Sequence, residues 1–323
     1  MIDTALADLG RRLTALGLTE RAVKQCFGVP ALAHLPRALP HRSDPGDKAP
    51  RAAAVVWLLC AGRAFPLDAM RELFGADLAR LADLGVLAID GARVHARYAL
   101  APLGGGIAVC DRLDHAGADA VMWPDDSSHH LVGALPLARV ARWLDVGSGA
   151  AIVPIAAPGR ATAIRASDVA PRAIELAALG VALSGLEHVT LRVADLCAGA
   201  GGEWNLITFN APIPAEAGGP AGEPAHRRAP AGARVLERFW AEARDAVSPT
   251  GEVIVHSWVP NDPLALTADL PGAVAVMRYA REPGFAITAW RPGAPPSRKV
   301  VDVTLTEAAP HVVRVDVDRA LAG

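Results

Sequence analysis

The fold class the sequence predicts is α/β: an open, mostly parallel sheet with helices on both faces, preceded by a smaller helical module. Three observations predict it. From residue 142 onward, short runs of Val, Ile, Leu and Phe alternate with helical stretches at crossover spacing. The first of these runs opens into a glycine turn, LDVGSGAA at residues 144–151. The residues ahead of it read as several helices and one hairpin.

The N-terminal module, residues 1–110, begins with apolar positions Leu6, Leu9, Leu13 and Leu16 at helical spacing over residues 4–26. Pro30, Pro36, Pro40, Pro45 and Pro50 then mark turns and linker. Helical patterns follow at 51–61, 66–74 and 76–84, and strand patterns at 86–89 and 94–100 meet at Asp90-Gly91. Three helices and a hairpin predict a winged-helix-like unit. A DNA-reading helix needs cations for phosphates and side chains for base edges, and the third helix, ADLARLADLG, is not basic. The module therefore reads as a docking or dimerisation unit, which leaves room for a homodimer.

Residues 111–323 form the second domain. Strands are expected at 142–146, 161–167, 189–193, 204–209 and 251–258, with helices at 171–184 and 234–247. Such alternation implies right-handed crossovers and a ligand at the carboxyl ends of the strands. Residues 286–290, 299–306 and 312–317 read as β-rich and suit an edge that turns antiparallel. The Ala/Gly/Pro stretch at 215–233 has no periodicity and reads as a mobile loop.

Composition narrows the function. The chain has 323 residues with 52% hydrophobic content, room for two domains and a sizeable core. A net charge of −2 and a pI near 6.6 recruit no polyanion, so nucleic acid is not an expected partner. Cys26, Cys60, Cys110 and Cys197 show no CxxC pair and no adjacent His cluster, which predicts reduced core thiols and no metal site. The first residues lack a signal-peptide pattern, and the longest apolar run, 52–62, is too short to span a bilayer. A cytoplasmic location without membrane contact is expected.

Four consecutive strand ends each carry a polar group. Asp145, Gly147 and Gly149 end the first, where missing side chains let the backbone approach a ligand; Ala151 stands where a dinucleotide site would have its third glycine. The second ends in Asp168, placed to accept hydrogen bonds from ribose hydroxyls. The third leads to Asp195, a candidate acceptor for an adenine amino group. The fourth ends in NAPIP, with Asn210 at the sheet edge. In WPDDSSHHL (123–131), just before the first strand, His129 is a candidate general base, and His256 ends the fifth strand at the same edge.

Taken together, LDVGSG, SDVAPRAIELA, VADL and NAPIP resemble the class I S-adenosylmethionine-dependent methyltransferases, whose sheet is Rossmann-like, over roughly residues 111–323. The Asn-centred motif is similar to the NPPY-type motif of amino-methyltransferases. With the N-terminal module and WPDDSSHHL, the chain most resembles the release-factor glutamine N5-methyltransferase-like group. The resemblance implies S-adenosyl-L-methionine as cofactor, bound by Asp145, Gly147, Gly149, Asp168, Asp195 and Asn210. It implies methyl transfer to an amide or amine nitrogen of a peptide, protein or small metabolite, the Asn210 oxygen and the Ala211 carbonyl accepting hydrogen bonds from a planar NH2. The chain departs from the motif at Ala211, in place of the first Pro, and at Ile213, in place of the aromatic residue. Loss of that ring removes the usual platform for a nucleobase. Two rivals stay open: transfer to oxygen with His129 or His256 as base, and a winged-helix regulator that senses S-adenosylmethionine without catalysis.

Overall fold

The computed structural model describes residues 4–115, 117, 119–214, 228–229, 232–259, 262–280, 284–304 and 312–322. The first helical run is two helices, α1 (Thr4–Ala15) and α2 (Glu20–Phe27). Gly17, at φ 113, breaks the run. Thr19 caps α2 by accepting from the Ala22 N–H at 3.1 Å, and left-handed Gly28 ends it. A short helix α3 (Leu35–Ala38) precedes α4 (Arg51–Leu59), β1 (Phe65–Pro66), α5 (Leu67–Phe74), α6 (Asp77–Asp83), β2 (Leu87–Asp90) and β3 (Arg93–Ala96). These strands form an antiparallel sheet in the order β1-β3-β2. The strand expected to run on to residue 100 stops at Ala96. A separate hairpin, β4 (Tyr98–Leu103) with β5 (Gly106–Asp111), takes over. In α6, Asp77 is buried and accepts two hydrogen bonds from Arg12 of α1 at 2.7 and 2.8 Å, so its first turn is spent inside the molecule.

The second half comprises α7 (Asp126–Ala134), β6 (Val140–Val146), α8 (Ile152–Ala156), β7 (Ala161–Asp168), α9 (Pro171–Leu183), β8 (Val189–Val193), β9 (Trp204–Asn210), β10 (Ile213–Pro214), β11 (Arg228–Ala229), α10 (Gly232–Ala246), β12 (Val247–Trp258), β13 (Ala273–Tyr279), β14 (Phe285–Arg291), β15 (Ser297–Val303) and α11 (Val312–Leu321). Eight strands form one mixed sheet in the order β15-β13-β14-β12-β9-β6-β7-β8. Only β14 runs antiparallel to its neighbours. This is the Rossmann-like α/β sheet expected, with its antiparallel turn near one edge. Most of the stretch expected to be a mobile loop, 215–233, lies outside the described residues.

Residues 312–317 correct one expectation: they belong to a helix. Their Val-x-Val-x-Val alternation imitates a strand, but Arg314, Val317, Ala320 and Leu321 are buried at helical spacing while Val315 is half exposed. Neither α7 nor β13 was anticipated.

One apolar core runs from Leu9 and Leu13 in α1 through β4, β5 and α9 to Met277 and Leu321. A second lies across the sheet, where Leu236, Phe239 and Trp240 of α10 meet Leu144, Phe209, Val255 and Trp290. The boundary expected at residue 110 falls at the end of β5, whose hairpin packs on α9. Helix α1 also packs on α9, so closely that a Cβ at Gly10 would stand 1.9 Å from the Leu183 carbonyl oxygen.

Candidate active site

The turn after β6 has left-handed residues at alternate positions: Gly147 (φ 60), Gly149 (φ 54) and Ala151 (φ 56). A Cβ at Gly147 would lie 2.9 Å from the Phe209 ring, so glycine is required there. Gly149 faces open space, with nothing within 4 Å of where a Cβ would be, and its N–H donates to Asp168 Oδ2 at 2.9 Å. Asp145 lies under the turn. It is buried and accepts from the Ser148 and Thr208 hydroxyls, each at 2.5 Å, while Thr208 accepts from the Trp143 indole at 2.7 Å. Burial pushes its carboxyl up to about 6.

Asp168 ends β7 half buried. Its second oxygen accepts from the Ala170 N–H at 2.9 Å, so the side chain ties the glycine turn to the start of α9. Beside it, Val169 is 65% and Val193 49% exposed, two apolar side chains at adjacent strand ends. Asp195 stands beyond β8, exposed, and accepts through Oδ2 from Arg238 of α10 at 2.7 Å. The turn, Asp168 and the two valines thus lie together at the carboxyl edge of the sheet, where Asp195 is already engaged from α10.

On the other side of β6, Asn210 Nδ2 donates to Ser127 Oγ at 2.7 Å, and Ser127 donates to Asp125 Oδ1 at 2.6 Å. Asp125 is the N-cap of α7, accepting also from the Ser128 N–H at 3.0 Å and the Ser128 hydroxyl at 2.9 Å. Across the sheet Asn210 pairs in register with His256, so both side chains leave the same face. Ser127 and His130, three residues apart on α7, oppose them. The His130 and His256 rings lie 6.4 Å apart, Tyr279 is 5.0 Å from His130 and 5.7 Å from His256, and Phe285 stacks on His256 at 5.7 Å. Burial pushes His256 down to about 4, leaving it neutral at physiological pH.

His129 needs a correction. Two residues from Ser127, it sits about 200° around α7, and the charges acting on its ring include Glu20 and Lys24 of α2. The structure brings His130, not His129, to the Asn210 side. Asp125 and Ser127 went unnoticed in the sequence as partners of Asn210; the signal available was the i, i+3 spacing of Ser127 and His130.

An open sheet whose first strand ends in a left-handed glycine turn, held by the carboxylate of the next strand, defines an α/β enzyme for a nucleoside-bearing cofactor. The methyltransferase small domain family matches residues 113–288, and the chain belongs to it. It is a class I methyltransferase dependent on S-adenosylmethionine. Among solved structures, it is similar to a ribosomal protein L11 methylase from Lactobacillus delbrueckii subsp. bulgaricus, at 20% identity and a TM-score of 0.40, covering 51% of this chain and 77% of that one. It is also similar to a TehB-like SAM-dependent methyltransferase from Corynebacterium glutamicum, at 16% identity and a TM-score of 0.35, covering 51% and 88%. Comparison with curated proteins gave no match. Among the described residues no helix is long and apolar enough to cross a membrane.

Proposed function

We propose that the protein methylates an amide or amine nitrogen of a peptide, protein or small metabolite, in the manner of the release-factor glutamine N5-methyltransferase-like group, with Asn210 orienting the acceptor. One observation carries this reading: Asn210 is anchored through its NH2 at the carboxyl end of β9, while its oxygen accepts no hydrogen bond from any described residue. That oxygen and the Ala211 carbonyl would receive the acceptor's N–H groups. No ring stands at Ile213, but Trp258 and Phe285, edge to face at 4.8 Å, supply aromatic surface at the same sheet edge.

The chemistry of this edge suits the cofactor. Gly149 leaves room for close approach, Asp168 keeps lone pairs for ribose hydroxyls, and Val169 and Val193 offer apolar cover to an adenine. Asp195 retains one oxygen beside its bond to Arg238 and would serve the adenine amino group. When bound, S-adenosylmethionine supplies a methyl group on a sulfonium that departs as a neutral thioether. Asn210 then contributes chiefly by holding the nucleophile in line, which removes much of the entropic barrier. With its pKa near 4, His256 is a poor match for a general base at neutral pH, which favours nitrogen over oxygen.

The order helix, strand, helix, helix, hairpin and the β1-β3-β2 sheet support a winged-helix module. The Arg12–Asp77 pair locks its third helix to α1, which suits a docking unit better than a reader of nucleic acid.

The test separates binding from rate. Asn210→Ala should weaken calorimetric affinity for S-adenosylmethionine far less than it slows methyl transfer, which should fall roughly 10²-fold with a labelled methyl group. Equal losses in both, or full activity in a folded variant, would refute the assignment.

A further inference from the structure

The polarity of the hydrogen-bond chain ending on Asn210 follows from its first member. The Ser128 main-chain N–H can only donate, and it donates to Asp125 Oδ1, so that oxygen is an acceptor. Ser127 Oγ, 2.6 Å from the same oxygen, must therefore give its hydroxyl proton to it. A serine has one such proton, which leaves the Ser127 oxygen to accept. Asn210, 2.7 Å away and 83 residues further along the chain, must then present its NH2 and turn its carbonyl the other way. Rotating the amide by 180° would set two lone-pair-bearing oxygens against each other.

The geometry points to Asp125 and Ser127 as positioning residues that fix Asn210 as an obligate hydrogen-bond acceptor, so that the methyl-accepting atom must carry a proton donor, N–H or O–H. This rests on the acceptor-orienting role of Asn210 proposed above, and it narrows the substrate class. Primary and secondary amides, amines bearing N–H, and hydroxyls can donate to Asn210 Oδ1. Thioethers, tertiary amines and tertiary amides bring only lone pairs and are refused. Neither residue belongs to the cofactor turn; both come from the segment that precedes β6.

The chain contains three asparagines, Asn205, Asn210 and Asn261. Protein labelled with 15N-asparagine therefore gives three side-chain amide pairs, and the Asn210 pair is the one absent from Asn210→Ala. In the cofactor-free protein, one Nδ2 proton of Asn210 should exchange with solvent about tenfold more slowly than its twin, the protection one hydrogen bond provides. Ser127→Thr and Asp125→Asn, which keep the hydroxyl and the capping oxygen, should preserve this protection. Ser127→Ala should abolish it with little change in melting temperature. In protein saturated with S-adenosylhomocysteine, acetamide at millimolar concentration should shift the Asn210 pair, and N,N-dimethylacetamide, which has no N–H, should not. Unaltered exchange in Ser127→Ala, or equal shifts from the two amides, would overturn the relay. Because the exchange measurement needs no cofactor, a protein that keeps Ser127-dependent protection but fails to bind S-adenosylhomocysteine would sink the site reading and leave the relay standing.

Discussion

Asp145 shows what a single buried group costs and what it does. Both carboxylate oxygens are used, one by Ser148 within the glycine turn and one by Thr208 on β9, so the side chain clamps the turn to the neighbouring strand. Its folded pKa, about 6, exceeds the ordinary value of 3.8 that the unfolded chain retains. The folded state therefore binds this proton more tightly. The stability it contributes is complete below the unfolded value and is lost as pH rises through about 6. Melting temperatures recorded from pH 4.5 to 7.5 should fall with a component that Asp145→Asn removes. The amide can keep its oxygen toward Thr208 and donate to Ser148, so the variant should fold and be at least as stable as the parent at pH 7.5. An unchanged slope would show that Asp145 does not titrate in this window. Ala151 is a smaller local strain: an L-residue at φ 56, buried, where glycine would be indifferent to the conformation.

Among the elements, α11 and α7 depend on each other. Arg314 is 3% exposed; it donates to Glu252 of β12 at 2.8 Å, to Asp318 one turn along α11, and to the Ala134 carbonyl at the end of α7 at 3.1 Å. Arg291 reaches the same Glu252 and Asp318 at 3.1 and 2.8 Å. Arg314→Ala would leave Glu252 and Asp318 to share Arg291, one cation short for the buried Glu252 carboxylate, and should cost about 3 kcal/mol in denaturant titration. The double variant Arg314→Met with Glu252→Gln should cost less than the single one, because no uncompensated charge remains; the reverse order would mean that packing, not charge, dominates. These two helices also mark where the sequence stopped being legible. Strands β6, β7, β8, β9 and β12 were readable because each is an apolar run ending in a polar turn. Helix α7 was not, since DSSHHLVGA buries only Ser128, Leu131 and Ala134 and has no apolar stripe to recognise. Helix α11 reads as a strand because its valines alternate, and only the burial of Arg314, Val317, Ala320 and Leu321 reveals the helical period. At the candidate site, the motifs put Asp168 and Asn210 at the ends of β7 and β9, where the structure has them. The Asn210–Ser127 contact could not be read from a motif, because it joins residues 83 apart through tertiary packing.

At the scale of the whole molecule, the N-terminal module and the catalytic sheet share a core. Gly10 lets α1 lie against α9, and Gly180 lies close under β5, where a Cβ would meet the Ile107 carbonyl oxygen at 3.1 Å. Calorimetry should show one cooperative transition for both halves. Gly10→Ala should lower its midpoint, at a cost of about 1–3 kcal/mol, since the added methyl meets backbone that cannot step aside. Two separated transitions in the parent protein would contradict a shared core. The sheet itself divides at β6. Toward β7 the site is made mostly from main-chain conformation, in which Gly147, Gly149 and Asp168 have few substitutes. Toward β12 the proposed acceptor side is made from side chains, His130, His256, Trp258, Tyr279 and Phe285, each exchangeable without disturbing a backbone angle. Descent can therefore act on the two sides at different speeds: a lineage built on this scaffold can wander from one methyl acceptor to another by single point changes while its donor remains an unaltered inheritance.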